Sequence, residues 1–271
     1  MLADLPPSEI IVLDDGSPEA FRATQRDIND YPHCCYMERI ANKGRAATRN
    51  QLADVAQGEV LLFMDADAYP PHSSFLYDYL RAFTTDGVIY GGMRYPDEQP
   101  PIGHRLRHHY GQTHEQLSVS QRQAAPYARF NSICFLISKQ LFQRVRFDET
   151  FTAYGHEDTR FGLQLQQAHI PLHHIDNPVL HLNDESDTDF LHKSRTACQA
   201  LLAHQNLLSG SSKLLHTHLY LRKLHLIHPI ALCFRLLRRS IEHRLANRPS
   251  PSLRLFHLYR LLYLCTLRAI P

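Results

Sequence analysis

The stretch GEVLLFMDADAYPP, residues 58–71, decides how the chain is read. Five apolar residues, Val60 to Met64, run unbroken into two aspartates, Asp65 and Asp67, separated by one alanine. A short apolar run between turn formers suits a strand buried on both faces of a parallel sheet. In open α/β sheets, ligands bind outside the carboxyl ends of the strands. Two carboxylates at such an end are hard oxygen donors, suited to Mg²⁺ or Mn²⁺ carrying a diphosphate. One residue apart in extended chain, their side chains face opposite ways, which predicts different tasks for Asp65 and Asp67. A bare D-x-D is more often a solvated acidic loop, so its meaning rests on its flanks.

Upstream, residues 9–13 (EIIVL) read as a buried strand that ends in Asp14-Asp15-Gly16-Ser17. Gly16 permits a tight turn, and Ser17-Pro18 predicts the start of a helix running to about residue 31. Asp14 and Asp15 suit capping of that turn as well as they suit binding. Gly44 then leads into a helix with a small-residue face (Ala46, Ala47, Ala53, Ala56) that carries Arg45 and Arg49. Such a start can present backbone donors and cations to phosphate, or it can be an ordinary exposed basic helix.

Downstream, Pro70-Pro71 stop the strand, Ser73 caps a helix to about residue 83, and residues 88–90 form another short strand. The pattern weakens over residues 94–127, apart from a helical patch near 102–117. This reads as an insertion over one face, the usual place for substrate selectivity. Its histidines (His104, His108, His109, His114) lack matched spacing or a nearby carboxylate, and no metal cluster is read from them. Residues 130–138 are a strand and 139–145 a helix. Tyr154 and Gly155 then precede Glu157-Asp158 in the first turn of a further helix, where the dipole favours acids whatever their function. Short strands follow at 171–175 and 179–182, the second carrying His181.

A chain of 271 residues can bury a full core as one domain with an appendage. Residues 201–271 hold eleven of the 29 Lys and Arg but only one of the 27 acids, Glu242, so an acidic front is followed by a basic tail. The six cysteines show no C-x-x-C spacing and read as reduced thiols. No signal pattern and no run of 18 apolar residues is seen, so no membrane-spanning helix is expected. From Phe190 on, Leu-rich helices are interleaved with Arg and His. That composition fits helices lying on an anionic bilayer, and it equally fits helices packed on the globule or on a partner. The arginines alternate with Leu and Ile instead of forming a clean polar face, so no nucleic-acid partner is expected.

EIIVLDDGSP, NKGRAATRNQLADVAQGEVLLFMDADAYP and FDETFTAYGHEDTRFGLQL occur in that order, and together they resemble the GT-A glycosyltransferases of family 2. The resemblance covers about residues 9–182. It implies an α/β, Rossmann-like GT-A fold, a mainly parallel sheet flanked by helices, as a domain over 1–189, with a basic helical region over 190–271. It further implies transfer of a sugar, with inversion, from a nucleoside diphosphate sugar to a glycan or lipid-linked acceptor in cell-surface glycan synthesis, using Mn²⁺ or Mg²⁺. By the same resemblance Asp14, Asp15, Arg49 and Asp65 bind the donor, Asp67 and His181 bind the metal, Asp158 is the general base, and Tyr154 and Glu157 meet the acceptor. The implied location is cytoplasmic and peripheral on the inner face of the cell membrane.

Family members normally open with a strand and helix before the strand that matches residues 9–13. MLADLPPS, residues 1–8, reads as the end of that helix, so the domain is expected to be incomplete at its N-terminus, with a gap in the sheet. A non-catalytic nucleotide-sugar binder or scaffold of a polysaccharide assembly is the alternative reading.

Overall fold

The computed structural model describes residues 6–182 and 184–267, so most of the opening segment lies outside the described residues. The chain begins with β1 (Ile10–Asp14), α1 (Glu19–Ala23) and a 3₁₀ segment (Arg26–Asp30), followed by β2 (Cys34–Glu38) and α2 (Arg45–Val55). Next come β3 (Val60–Met64), β4 (Ala68–Tyr69), α3 (Phe75–Ala82), β5 (Val88–Tyr90) and β6 (Met93–Arg94). The insertion supplies α4 (Arg105–His114) and α5 (Val119–Gln123), and the sheet resumes with β7 (Cys134–Ser138). Then follow α6 (Lys139–Val145), α7 (Glu157–Gln167), β8 (Leu172–His174) and β9 (Val179–His181). Four helices close the chain: α8 (Asp187–Ala203), α9 (Lys213–Lys223), α10 (Ile227–Asn247) and α11 (Leu253–Thr266).

The central sheet has the order β3-β7-β5-β8. Its middle strand β7 is buried at all five positions, as an apolar run covered on both faces must be. The fold is α/β with helices on the sheets, but the strand directions are mixed where a mainly parallel sheet was expected. β7 runs antiparallel to both β3 and β5, because the chain re-enters the sheet between them after the long excursion that carries α4 and α5. β8 then lies parallel to β5. Against this sheet Phe63 stacks on Phe135 at 4.8 Å and Phe147 on Phe161 at 4.3 Å. Full burial of each such ring contributes about 1.5–3 kcal/mol.

β1 and β2 form a separate parallel pair, and β1 exchanges no ladder with β3. The two strands are tied at their starts by a side chain instead: the Glu9 carboxylate accepts from the backbone N–H of Gln57 (2.6 Å) and Gly58 (3.0 Å). Each of β1 and β3 therefore pairs along one edge only among the described residues.

A second apolar cluster is built from α8 to α11, and it draws in Leu106 and Phe151 from before residue 190. The helical region is thus packed on the globule through α8 and α11, while part of α10 stays open. Among the described residues no helix is long and apolar enough to cross a membrane.

Candidate active site

The D-x-D segment is a turn that carries the chain from the central sheet into the small sheet β4-β9-β6. The Asp65 N–H donates to the Ile133 carbonyl at 2.8 Å, prolonging the β3–β7 ladder, and its own carbonyl accepts from Ala68 N–H at 3.0 Å. β4 then pairs antiparallel with β9, Ala68 opposite His181. The two aspartates face apart, as their spacing requires. Asp65 Oδ1 accepts from Arg49 at 2.7 Å, and Asp67 Oδ2 lies 3.1 Å from His181 Nε2. Desolvation pushes the Asp67 carboxyl up, but His181 and Arg45 more than offset it, and the net shift is downward.

Behind His181 stands a buried polar chain that nothing in the sequence pattern announces. His181 Nδ1 is 3.0 Å from the Tyr95 hydroxyl, which also contacts Glu115 and accepts from Arg107 at 2.8 Å. Arg107 donates in turn to Glu115 at 2.9 Å. An ionised carboxylate only accepts, so the single Tyr95 proton goes to Glu115, and His181 must donate from Nδ1. With Nδ1 so engaged, Nε2 is the ring nitrogen that faces the Asp67 carboxylate and is left to serve as a metal ligand. Once Nε2 gives up any proton it holds, it and the Asp67 carboxylate 3.1 Å away form a donor pair for a cation. Carboxylate oxygen with imidazole nitrogen suits Mn²⁺, and these ions keep positions for substrate phosphate. No group of three or more His, Cys, Asp or Glu is gathered for a metal among the described residues, so the diphosphate would have to complete the shell.

Across the cleft, α7 begins at Glu157 after His156, which takes a left-handed conformation (φ 71°). Gly155 (φ 104°) packs so closely that an added Cβ would sit 2.8 Å from that of Ala197 on α8. Burial first, and then the neighbouring Glu157 charge, push the Asp158 carboxyl up to about 7. Its Oδ1 accepts from Thr159 N–H at 2.6 Å and its Oδ2 from Asn131 at 3.3 Å. Glu157 is buried between Arg49 (3.6 Å) and Arg45 (3.8 Å), so Arg49 bridges Asp65 and Glu157. The Tyr154 ring is covered by cations, Arg45 at 5.0 Å and Lys193 at 5.5 Å.

One cleft thus brings together Asp65, Asp67, Tyr154, Glu157, Asp158 and His181. Asp14, Asp15 and Arg49 do not line it. Asp14 Oδ1 accepts from Gly16 N–H (3.0 Å) and Ser17 N–H (2.7 Å), closing the turn after β1. Asp15 takes the N–H groups of Lys43 (3.0 Å) and Gly44 (2.8 Å), with Arg39 at 2.9 Å, and so anchors the N-terminus of α2. The cleft residues that sequence reasoning missed come from the insertion (Arg107, Tyr110, Glu115), from Asn131, and from the late helices (Lys193, Phe256, Arg260). Their only signal was the position of the insertion.

The sequence matches the family described as Glycosyl transferase family 2 over residues 2–151. No curated protein matches it in sequence. Among solved structures it is similar to the mannosyltransferase PcManGT from Pyrobaculum calidifontis, in complex with GDP-Man and Mn²⁺. The TM-score is 0.54 at 15% identity, covering 95% of this chain and 76% of that one. It also resembles residues 1–349 of S. aureus TarS, with a TM-score of 0.47 at 16% identity, over 73% of this chain and 58% of that one. At these identities the first likeness speaks for the fold, and the second is too distant to carry an argument.

Proposed function

The chain belongs to glycosyltransferase family 2, and from that premise we propose that it transfers a sugar, with inversion, from a nucleoside diphosphate sugar to an acceptor hydroxyl, with Mn²⁺ or Mg²⁺ held by Asp67 and His181. The observation that carries the reading is the Asp158 carboxyl, raised to about 7 in the cleft that holds the Asp67–His181 pair. A base poised near neutrality is ionised in a useful fraction of molecules and still strong enough to take a proton. Attack of the acceptor hydroxyl forms the new bond to the anomeric carbon, breaks the bond to the diphosphate, and delivers the hydroxyl proton to Asp158. With one base and no covalent intermediate, configuration inverts.

When bound, the metal neutralises charge on the departing diphosphate. Arg45, the cation felt by Asp67 and Asp158 alike, adds a fixed positive charge to the cleft. Asp65, oriented by Arg49, faces the donor, and Asp14 and Asp15 serve it indirectly by fixing the turn after β1 and the start of α2. Glu157 and Tyr154 meet the acceptor, a glycan or lipid-linked molecule of cell-surface glycan synthesis, through the two arginines and the lysine they engage.

The decisive experiment compares turnover and donor binding in two variants. Asp158→Asn should lower transfer by about 10²–10⁴-fold, the usual worth of a general base, while UDP–Mn²⁺ binding by calorimetry stays near wild type. Asp67→Ala should lose the metal-dependent part of that binding. Equal loss of binding in both variants would sink this division of roles.

The same reading places the enzyme on the inner face of the cell membrane. α10 exposes Leu232 (62%), Leu236 (80%) and Leu237 (56%) next to Arg235 and Arg239, an apolar and cationic face suited to an anionic bilayer.

A further inference from the structure

Four Lys and Arg side chains line the cleft, and three of them face carboxylates. Arg45 lies 3.8 Å from Glu157, Arg107 2.9 Å from Glu115, and Lys193 2.7 Å from Glu185. The fourth, Arg260 on α11, forms no ion pair with any carboxylate among the described residues. Its Nε is shut off from solvent with no hydrogen-bond partner, and the neutral Tyr110 hydroxyl and Cys198 thiol beside the guanidinium favour its charged form without supplying a counter-ion. The Phe256 ring lies 5.8 Å away, a cation–π contact near the outer limit of that interaction. Such a contact does not replace the counter-ion that a desolvated charge requires.

A planar guanidinium held without a counter-ion in a substrate cleft matches an oxyanion, which it can take in two parallel hydrogen bonds. Its place fixes which substrate brings that anion. Arg260 is among the charges that depress His156, the residue from which α7 and Asp158 start. The arginine whose charge acts on Asp67 is Arg45. His156 Nε2 is also buried without a hydrogen-bond partner on this wall. We infer that Arg260 binds an anionic group of the acceptor, a phosphate or a carboxylate, and so selects for charged acceptors. The inference rests on the transferase reading only in naming the ligand as the acceptor; the anion site stands on Arg260 alone.

The His156 imidazole reports on this wall by NMR. Methyl phosphate or acetate is titrated into the full chain with UDP and diamagnetic Mg²⁺ present to fill the donor end. A saturable shift is expected, weakened about tenfold or more in Arg260→Gln by loss of a charged hydrogen bond, and largely retained in Arg260→Lys, which keeps the charge. The probe that saturates at lower concentration identifies the group, methyl phosphate for a phosphate and acetate for a carboxylate. Equal titrations in wild type and Arg260→Gln, or no saturable shift with either probe in the wild type, overturn the anion site. Asp67→Ala should lose UDP–Mg²⁺ yet keep the anion response. A wild-type chain that takes the anion but not UDP–Mg²⁺ would overturn the assignment to an acceptor and sink the donor reading.

Discussion

Tyr95 has one hydroxyl proton, and where it goes settles whether His181 Nδ1 donates or accepts. Because Glu115 takes that proton, His181 donates from Nδ1, and Nε2 is the nitrogen left to bind a cation beside Asp67. Tyr95→Phe removes the acceptor for Nδ1–H and frees the ring to change tautomer. Loss of such a supporting partner lowers metal affinity by about 10–100-fold, so Mn²⁺ binding in the presence of UDP should weaken by that order in calorimetry. Unchanged affinity would mean that the tautomer is set elsewhere. Asp158 makes a second prediction at this scale. Its carboxyl must be ionised to accept a proton, and its pKa is raised to about 7. The transfer rate should therefore climb as pH rises from 6 through 7 and level off above, and the limb should vanish in the residual activity of Asp158→Asn. A rate that falls over that range would exclude Asp158 as the base.

One side chain makes most of the hydrogen bonds between the insertion and the central sheet. Arg122 of α5, only 2% exposed, donates to the carbonyls of Tyr90 (3.1 Å), Gly91 (3.1 Å) and Ile175 (2.9 Å) at the ends of β5 and β8. It also meets His174 Nδ1 at 3.2 Å and stacks on Tyr90 at 5.2 Å. Arg122→Met would leave the Ile175 carbonyl without its donor, while the Tyr90 and Gly91 carbonyls keep the N–H groups of Ile175 (3.1 Å) and Asn177 (3.4 Å), and it should cost about 1–3 kcal/mol in urea unfolding. A loss under about 1 kcal/mol would show that water replaces the guanidinium. Arg122 also marks the limit of what could be read from the sequence. β3, β5 and β7 announced themselves as apolar runs, and α6 and α7 as periodic segments, because burial on the sheet dictates residue type locally. The strand CCYME (β2) carries no such run, and β4 and β6 are two residues long and exist only because β9 pairs with both. The expected helix to residue 31 stops at Ala23 and gives way to the 3₁₀ segment. In the site, Asp67, Asp158 and His181 sit in motifs that keep their spacing along the chain. The Tyr95–Glu115–Arg107 chain and Arg260 are brought in by tertiary packing from segments with no pattern of their own.

For the molecule as a whole, the late helices are part of the cleft wall, so their surface is best tested without cutting the chain. Leu232→Glu with Leu236→Glu should leave Phe234 and the second core in place while releasing the protein from anionic liposomes in sedimentation. Equal sedimentation of variant and wild type would place the membrane contact elsewhere. Buried histidines set the response to acid. Desolvation, reinforced by Arg260 at His156 and by Arg122 at His174, lowers both to about 4. Unfolding raises them to the ordinary value near 6.5, so the stability they contribute is present above that pH and drains as pH falls toward 4. Asp158, shifted upward, works the other way over the same interval, but it is one group against two. The melting temperature should therefore drop between pH 6.5 and 5; a rise would show that Asp158 dominates. The strand order carries a last consequence, for synthesis on the ribosome. The most apolar strand, β3, has no ladder partner among the described residues except β7, which begins 70 residues after β3 ends. At about 5–20 residues per second, Val60–Met64 waits roughly 4–15 seconds outside the exit tunnel with its backbone unpaired. The nascent chain, more than the finished enzyme, is the form that needs a chaperone.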